Sequence, residues 1–348
     1  MRKISSSILF LLLIVGRLSS DTRVLKRLDY YPKSDSDYYF KPICSLAAHG
    51  NTIYGVENLS TRVVAFRLDY PQFSFSFFVG RPGQGPGDLL YPMAISIWGD
   101  SIAIKEASAF SLFGLKGIFQ SKFKIYSNNS SFVFHSDKIF WLNPSIKQDH
   151  LIEVYSRDGE RILTIGKKSI IRGVVASDPN DIDRIYEGMI FLYGQSIYYL
   201  SSKFGCYSRY TLRGDLLAEG DITEYLGERG AAVKKYNTDV HINHTRKNDG
   251  KTGYPKPLIF EAASLYKNFL YLMGSRFDRQ GAVQTILDLK ICDLNSMSAI
   301  NSDFVIEKEG ICRIDSFIIL EDKGKLYLLL SITVIEEGHY LEIYEIPK

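Results

Sequence analysis

The sequence predicts an all-β chain in which six repeated sheets close into a ring, and three observations lead there. A short polar turn followed by an aliphatic residue, usually with an aromatic neighbour, recurs six times. The chain carries 23 Tyr and 21 Phe, residue types that favour the half-buried pleated surface of a sheet. The last repeat lacks a final strand, while a spare strand, TRVLKRLDYY (Thr22 to Tyr31), stands ahead of the first. Four antiparallel strands per unit and six units define a six-bladed β-propeller.

The turns are HGNTIYGV, WGDSIAIK, HSDKIFWL, YGQSIYYL, YKNFLYLM and DKGKLYLL. Gly, Asn or Asp within them supplies the positive-φ positions of a tight hairpin. The aliphatic residue after each turn is Ile53, Ile102, Ile139, Ile197, Leu270 and Leu326, and an aromatic follows in all but the second, where Ala103 stands. The intervals are 49, 37, 58, 73 and 56 residues, a blade's length plus insertions. Apolar runs such as ICSLAA and IDSFIIL precede the turns. Third strands such as RVVAFRL, LIEVYS, YSRYTL, TILDLKI and YLEIYEI follow them. RDGE (Arg157 to Glu160) and RGD (Arg213 to Asp215) mark hairpins into fourth strands. Pairing the spare N-terminal strand with the truncated last blade closes the ring and leaves few unpaired edges. A sandwich of irregular meanders is the alternative, but it predicts neither the six turns nor the missing strand.

Residues 1–20 read as a secretory signal: Arg2 and Lys3, the apolar run ILFLLLIV (Ile8 to Val15), then RLSSD. Eight apolar residues fall short of the roughly 20 that span a bilayer, so residues 21–348 are expected as the mature propeller, secreted or periplasmic, with no membrane span. Retention of the segment as an anchor is the alternative. A net charge of +3, without a clustered basic face, argues against a nucleic-acid partner. Cys44, Cys206, Cys292 and Cys312 contain no CxxC pair. They either form disulfides in one of three pairings or stand as buried free thiols.

The loop VGRPGQGPGDLLYP (Val79 to Pro92) resembles a phosphate-binding loop in its glycines, but a strand-like MAISIWGDSIAI follows it instead of a helix. In a propeller it connects an outer fourth strand to the next blade's inner first strand. Its glycines allow the turns and its prolines stiffen the crossing. Gly80, Arg81, Gly83, Gly85, Pro86, Gly87 and Pro92 resemble the G-R-x-G-x-G-P-G-E-F-x-x-P signature of secreted bacterial six-bladed propellers related to the NHL-repeat group, with Asp88-Leu89 in place of Glu-Phe. That resemblance implies a fold and a compartment but no reaction. Related six-bladed lactonases and lyases bind calcium or zinc in the channel. The first-strand acids Glu187, Glu261 and Asp315, with Arg313 nearby, are the candidates for such a site here.

No catalytic set and no cofactor is legible from spacing. HINH (His241 to His244) has two imidazoles and no third ligand in sequence, and His49 and His135 are expected to pack. Insertions at 167–188 and 223–256 interrupt the repeat, and a short helix capped by Thr223 is expected to open the second. They suggest a rim that binds a peptide, protein or glycan partner. A metal-assisted hydrolase or lyase at the channel mouth is the alternative function.

Overall fold

The computed structural model describes residues 22–33, 36, 38–57, 59–125, 131–143, 149–168, 186–226, 230–238, 258–278, 284–300 and 303–347. Each of the six repeated turns is a two-residue hairpin between a first and a second strand. The residue after the first strand has φ near +50° to +60° at all six: Gly50, Gly99, Ser136, Gly194, Lys267 and Lys323, which matches the twist of the flanking strands. The repeated aliphatics behind the turns form the core. Ile53, Ile102, Ile139 and Ile197 are fully buried and Leu270 nearly so, while Leu326 packs partly buried against the core of the last two blades.

Six blades result; five are four-stranded sheets in simple up-and-down order, and the sheet of blade 5 carries two further short strands, Arg23–Val24 and Ser298–Ala299. Blade 1 comprises Ile43–His49, Thr52–Glu57, Arg62–Asp69 and Gln72–Val79. Blade 2 runs from Pro92–Trp98 to Phe119–Lys124, blade 3 from Phe132–His135 to Arg161–Lys167, and blade 4 from Gly188–Tyr193 to Leu216–Asp221. Blade 5 extends from Ala262–Tyr266 to Phe304–Glu309, and blade 6 from Cys312–Asp322 to Gly338–Ile346.

Closure occurs as the sequence predicts, and goes further. Arg27–Tyr31 pairs antiparallel with Gly338–Ile346 as the fourth strand of blade 6. Ahead of it, Arg23–Val24 pairs in parallel with Phe304–Glu309 on the outer edge of blade 5. Leu25, between these two strands, is buried in the core shared by blades 5 and 6. Tyr31 packs between Phe40 and Phe66 with ring centroids 6.0 and 5.3 Å away. Residues 22–31 therefore bind blades 5, 6 and 1 together.

Serines clasp the inner strands. Ser45 accepts the Ile95 N–H (3.2 Å), Ser96 that of Phe134 (3.0 Å), Ser131 that of Ile190 (3.0 Å) and Ser264 that of Ile319 (3.3 Å). Ser316 donates to the Ile43 carbonyl (3.0 Å). Five of the six blade junctions are joined this way. At the sixth, the first strands of blades 4 and 5 stand apart, and Met189, Phe191, Ile259, Phe260 and Val233 fill the wedge. Val233 comes from a helix at 230–238. The chain before that helix differs from expectation. Thr223 opens only a 3-10 turn (Thr223–Leu226), and it is Asp221 that accepts the Thr223 N–H (2.7 Å).

Candidate functional site

The first strands of all six blades surround a central cavity of about 1030 Å³. Two faces bound it. One carries the six two-residue turns. The other carries the ends of the fourth strands and the starts of the next first strands, with the loop after Val79 between blades 1 and 2. Residues 169–185 and 239–257, and with them His241 and His244, lie outside the described residues.

The loop is held from within as well as by blade 2, where Lys122 donates to the Asp88 carbonyl at 3.0 Å. Arg81–Pro82 and Asp88–Leu89 form a small parallel bridge, and Asp88 organises the turn between them. One carboxylate oxygen takes the Arg81 guanidinium at 2.6 Å and the other the Gly85 N–H at 2.9 Å. Arg81, then the Gly85 amide, hold the Asp88 carboxyl below its usual range. A Cβ at Gly83 would collide with that carboxylate, and one at Gly80 (φ +69°) would come within 2.8 Å of Leu89. The glycines thus make room for an aspartate rather than a phosphate.

Buried acids secure the chain as it comes into the first two blades. Glu106 accepts the Leu90 N–H (2.6 Å), and Glu57 accepts the Lys41 N–H (3.1 Å). Each of these amides lies two residues ahead of a first strand. Lys122 neutralises Glu106 at 2.9 Å, and Tyr38 donates to both oxygens of Glu57 at 2.8 Å. The sequence reading missed these acids because each looks like an ordinary charge at the end of a strand.

Glu187, Glu261 and Asp315 all line the channel, but each is committed to its own neighbours. Glu187 pairs with the buried Lys203. Glu261 accepts the N–H (3.1 Å) and the hydroxyl of Ser275. Asp315 takes Arg313 at 2.7 Å and the Thr333 hydroxyl at 2.6 Å. Among the described residues, no three metal-ligating side chains stand together. His339, which spacing did not flag, lies with Nδ1 2.9 Å from the Thr333 hydroxyl. Burial, with Arg313 and Lys41, lowers its pKa against the opposing pull of Asp315. Because the Thr333 proton points at Asp315, this trio orients a hydroxyl without activating it as a nucleophile.

His135 packs against Trp98 with centroids 3.8 Å apart, as expected, whereas His49 is exposed. All four cysteines are free thiols, and burial pushes Cys206 and Cys292 up to about 11.

No protein-family model matches the chain, and no curated protein matches it. Solved structures do. A protein from Bacteroides fragilis NCTC 9343 described as exported superposes with a TM-score of 0.52 at 10% identity, over 94% of this chain and 99% of that one. The Pan2 WD40 domain of Neurospora crassa gives 0.52 at 10% identity, over 94% and 98%. At such identity the likeness is one of fold, and that fold is the β-propeller.

Proposed function

We propose that this protein is an exported propeller of the NHL-like secreted group that binds a peptide, protein or glycan partner through the face bearing its blade-connecting loops. One observation carries the reading. The connections leaving Lys167 and Asp221 do not re-enter a first strand until Gly188 and Ala262. The described ends of both lie on one face, on either side of blade 4, while the opposite face has two-residue turns beside its inner strands. Long connections on a rigid scaffold are where binding groups concentrate. Among the described residues, the channel wall is rich in apolar residues and serines and its acids Glu187, Glu261 and Asp315 are already paired, which supports binding over the hydrolase or lyase alternative.

The test uses envelope and culture-fluid fractions of the native cells, which also establish the compartment. A partner cross-linked to the intact chain should be lost when 239–257 is replaced by a short Gly-Ser linker that leaves the thermal melt unchanged. Undiminished cross-linking after that replacement, or recovery of the chain only from cytoplasm, overturns the proposal.

A further inference from the structure

Three blades join their third and fourth strands through the same five-residue hairpin: Gly114 to Ile118 in blade 2, Ser156 to Glu160 in blade 3 and Thr211 to Asp215 in blade 4. In each, the first residue donates its N–H to the fifth residue's carbonyl at 2.8 Å. Its own carbonyl accepts the amide of a positive-φ glycine: Gly117, Gly159 or Gly214. The frame is common, so the hairpins differ in their side chains. In blade 3 the tip is committed to the ring, because Arg157 donates to Asp137 at 3.0 Å and to Gln120 of blade 2.

The blade 4 hairpin ends in Arg213-Gly214-Asp215, and these side chains are not spent in that way. Arg213 and Asp215 are exposed, and among the described residues the Arg213 guanidinium has no hydrogen-bond or ion-pair partner. One carboxylate oxygen of Asp215 accepts the Thr211 hydroxyl at 3.0 Å, and the other has no partner among the described residues. The same hydroxyl takes the N–H groups of Arg213 (3.2 Å) and Asp215 (3.1 Å), so the turn is fixed from within. From behind, Gly214 rests on blade 3, where a Cβ would come within 3.5 Å of the Ile165 side chain. Leu216 and Leu217 follow directly, and both are half exposed. A braced turn therefore presents an unused cation, a half-used anion and apolar surface in one short stretch.

We propose that this hairpin is an adhesion epitope for the class of cell-surface receptor that reads Arg-Gly-Asp through a bound divalent cation beside an acidic pocket. Each half of that chemistry has its counterpart here. A carboxylate oxygen is the hard ligand that completes the shell of a Mg²⁺ or Ca²⁺ ion held by the partner. A guanidinium fork bonds two carboxylate oxygens at once. The fixed turn lowers the ordering cost of presenting both. An anionic membrane or a nucleic acid fits less well, since Asp215 would face its phosphates. A metal-free protein partner would have to oppose Asp215 with a basic side chain, and its binding would survive chelation. Thr211 pairs with Ser196 beside the two-residue turn of blade 4. The epitope therefore lies at the opposite end of the blade from the loop-bearing face and is independent of the function proposed for that face.

Surface plasmon resonance of the purified chain over an immobilised integrin ectodomain that binds Arg-Gly-Asp peptides tests the assignment, in magnesium and manganese and then in EDTA. Binding should saturate at micromolar concentration or below, vanish in EDTA and yield to a cyclic Arg-Gly-Asp peptide. Asp215→Glu, which moves the carboxylate by one methylene, should weaken it about thirtyfold or more, as loss of a desolvated charged contact does. Arg213→Ala should do the same. If Asp215→Glu melts early through loss of the Thr211 bond, Arg213→Ala provides the reading, because it breaks no side-chain bond among the described residues. The variant shortened at 239–257 should bind normally. Absence of binding overturns the proposal, as does binding that survives EDTA or the competing peptide. Affinity indifferent to Arg213 or, in a stably folded variant, to Asp215 would also overturn it. So would loss of binding on shortening 239–257, which would move the contact to the loop-bearing face.

Discussion

Lys105 shows how one side chain sets a property of the whole fold. It is fully buried near the end of a second strand, with Nζ bonded to the Glu106 carbonyl and 5.6 Å from the Phe110 ring centroid. Burial, only partly offset by Glu106, lowers its pKa to about 8. The unfolded chain holds that proton until near the ordinary lysine value of about 10.4. Between those two values the unfolded state binds the extra proton at this site, so Lys105 by itself adds stability as pH rises through that window. Other buried groups act the other way: burial raises Cys206 and Cys292 to about 11 and Tyr70 and Tyr271 to about 12. Unfolding releases the thiol protons near pH 8.5 and the phenol protons near pH 10 (roughly), and the two thiols outweigh the one lysine. Denaturant titrations should therefore show stability falling above roughly pH 8.5. Lys105→Met should make that fall steeper. An unchanged slope in that variant would remove Lys105 from the explanation.

At the scale of elements, the hairpins and the clasps between blades differ in how far they could be read. A two-residue turn and the aliphatic behind it are neighbours in sequence, so Gly50-Asn51 and Ile53 announce their strand pair without help from the rest of the chain. The clasps involve one serine within an apolar run and an N–H some forty to sixty residues away, and no local pattern joins the two. The same distance in sequence hid the parallel pairing of Arg23–Val24 with blade 5 and the separate commitments of Glu187, Glu261 and Asp315. Their placement in the channel wall was legible from the repeat, but their hydrogen-bond partners were not. Substituting one clasp tests its worth. Ser131→Ala leaves the Ile190 N–H without its acceptor between blades 3 and 4, so it should destabilise the fold by about 1–2 kcal/mol. The denaturation midpoint should shift at constant m-value. No shift would mean that water replaces the hydroxyl and that inter-blade packing alone holds the ring.

For the whole molecule, ring closure decides whether six blades behave as one unit. A propeller opened at one junction exposes two sheet edges and the apolar faces between them. Here the junction of blades 5 and 6 is fastened twice by residues 23–31. Arg27–Tyr31 completes blade 6, and the Arg23 and Leu25 amides donate to Asp303 and Val305 of blade 5 at 2.8 Å. The two fasteners should be separable. A chain beginning at Arg27 loses the parallel strand and buried Leu25 but keeps the sixth blade whole. It should still unfold cooperatively, with stability lowered by about 2–5 kcal/mol, the range for emptying a buried leucine site. A chain beginning at Pro32 also loses the fourth strand of blade 6 and Tyr31, which packs against blade 1. It should show no single transition by calorimetry, and should self-associate through the exposed edge of Gly338–Ile346. If that shorter chain stayed monomeric and melted in one step, closure would reside in inter-blade packing, and the N-terminal strand would be an ornament on a ring that closes without it.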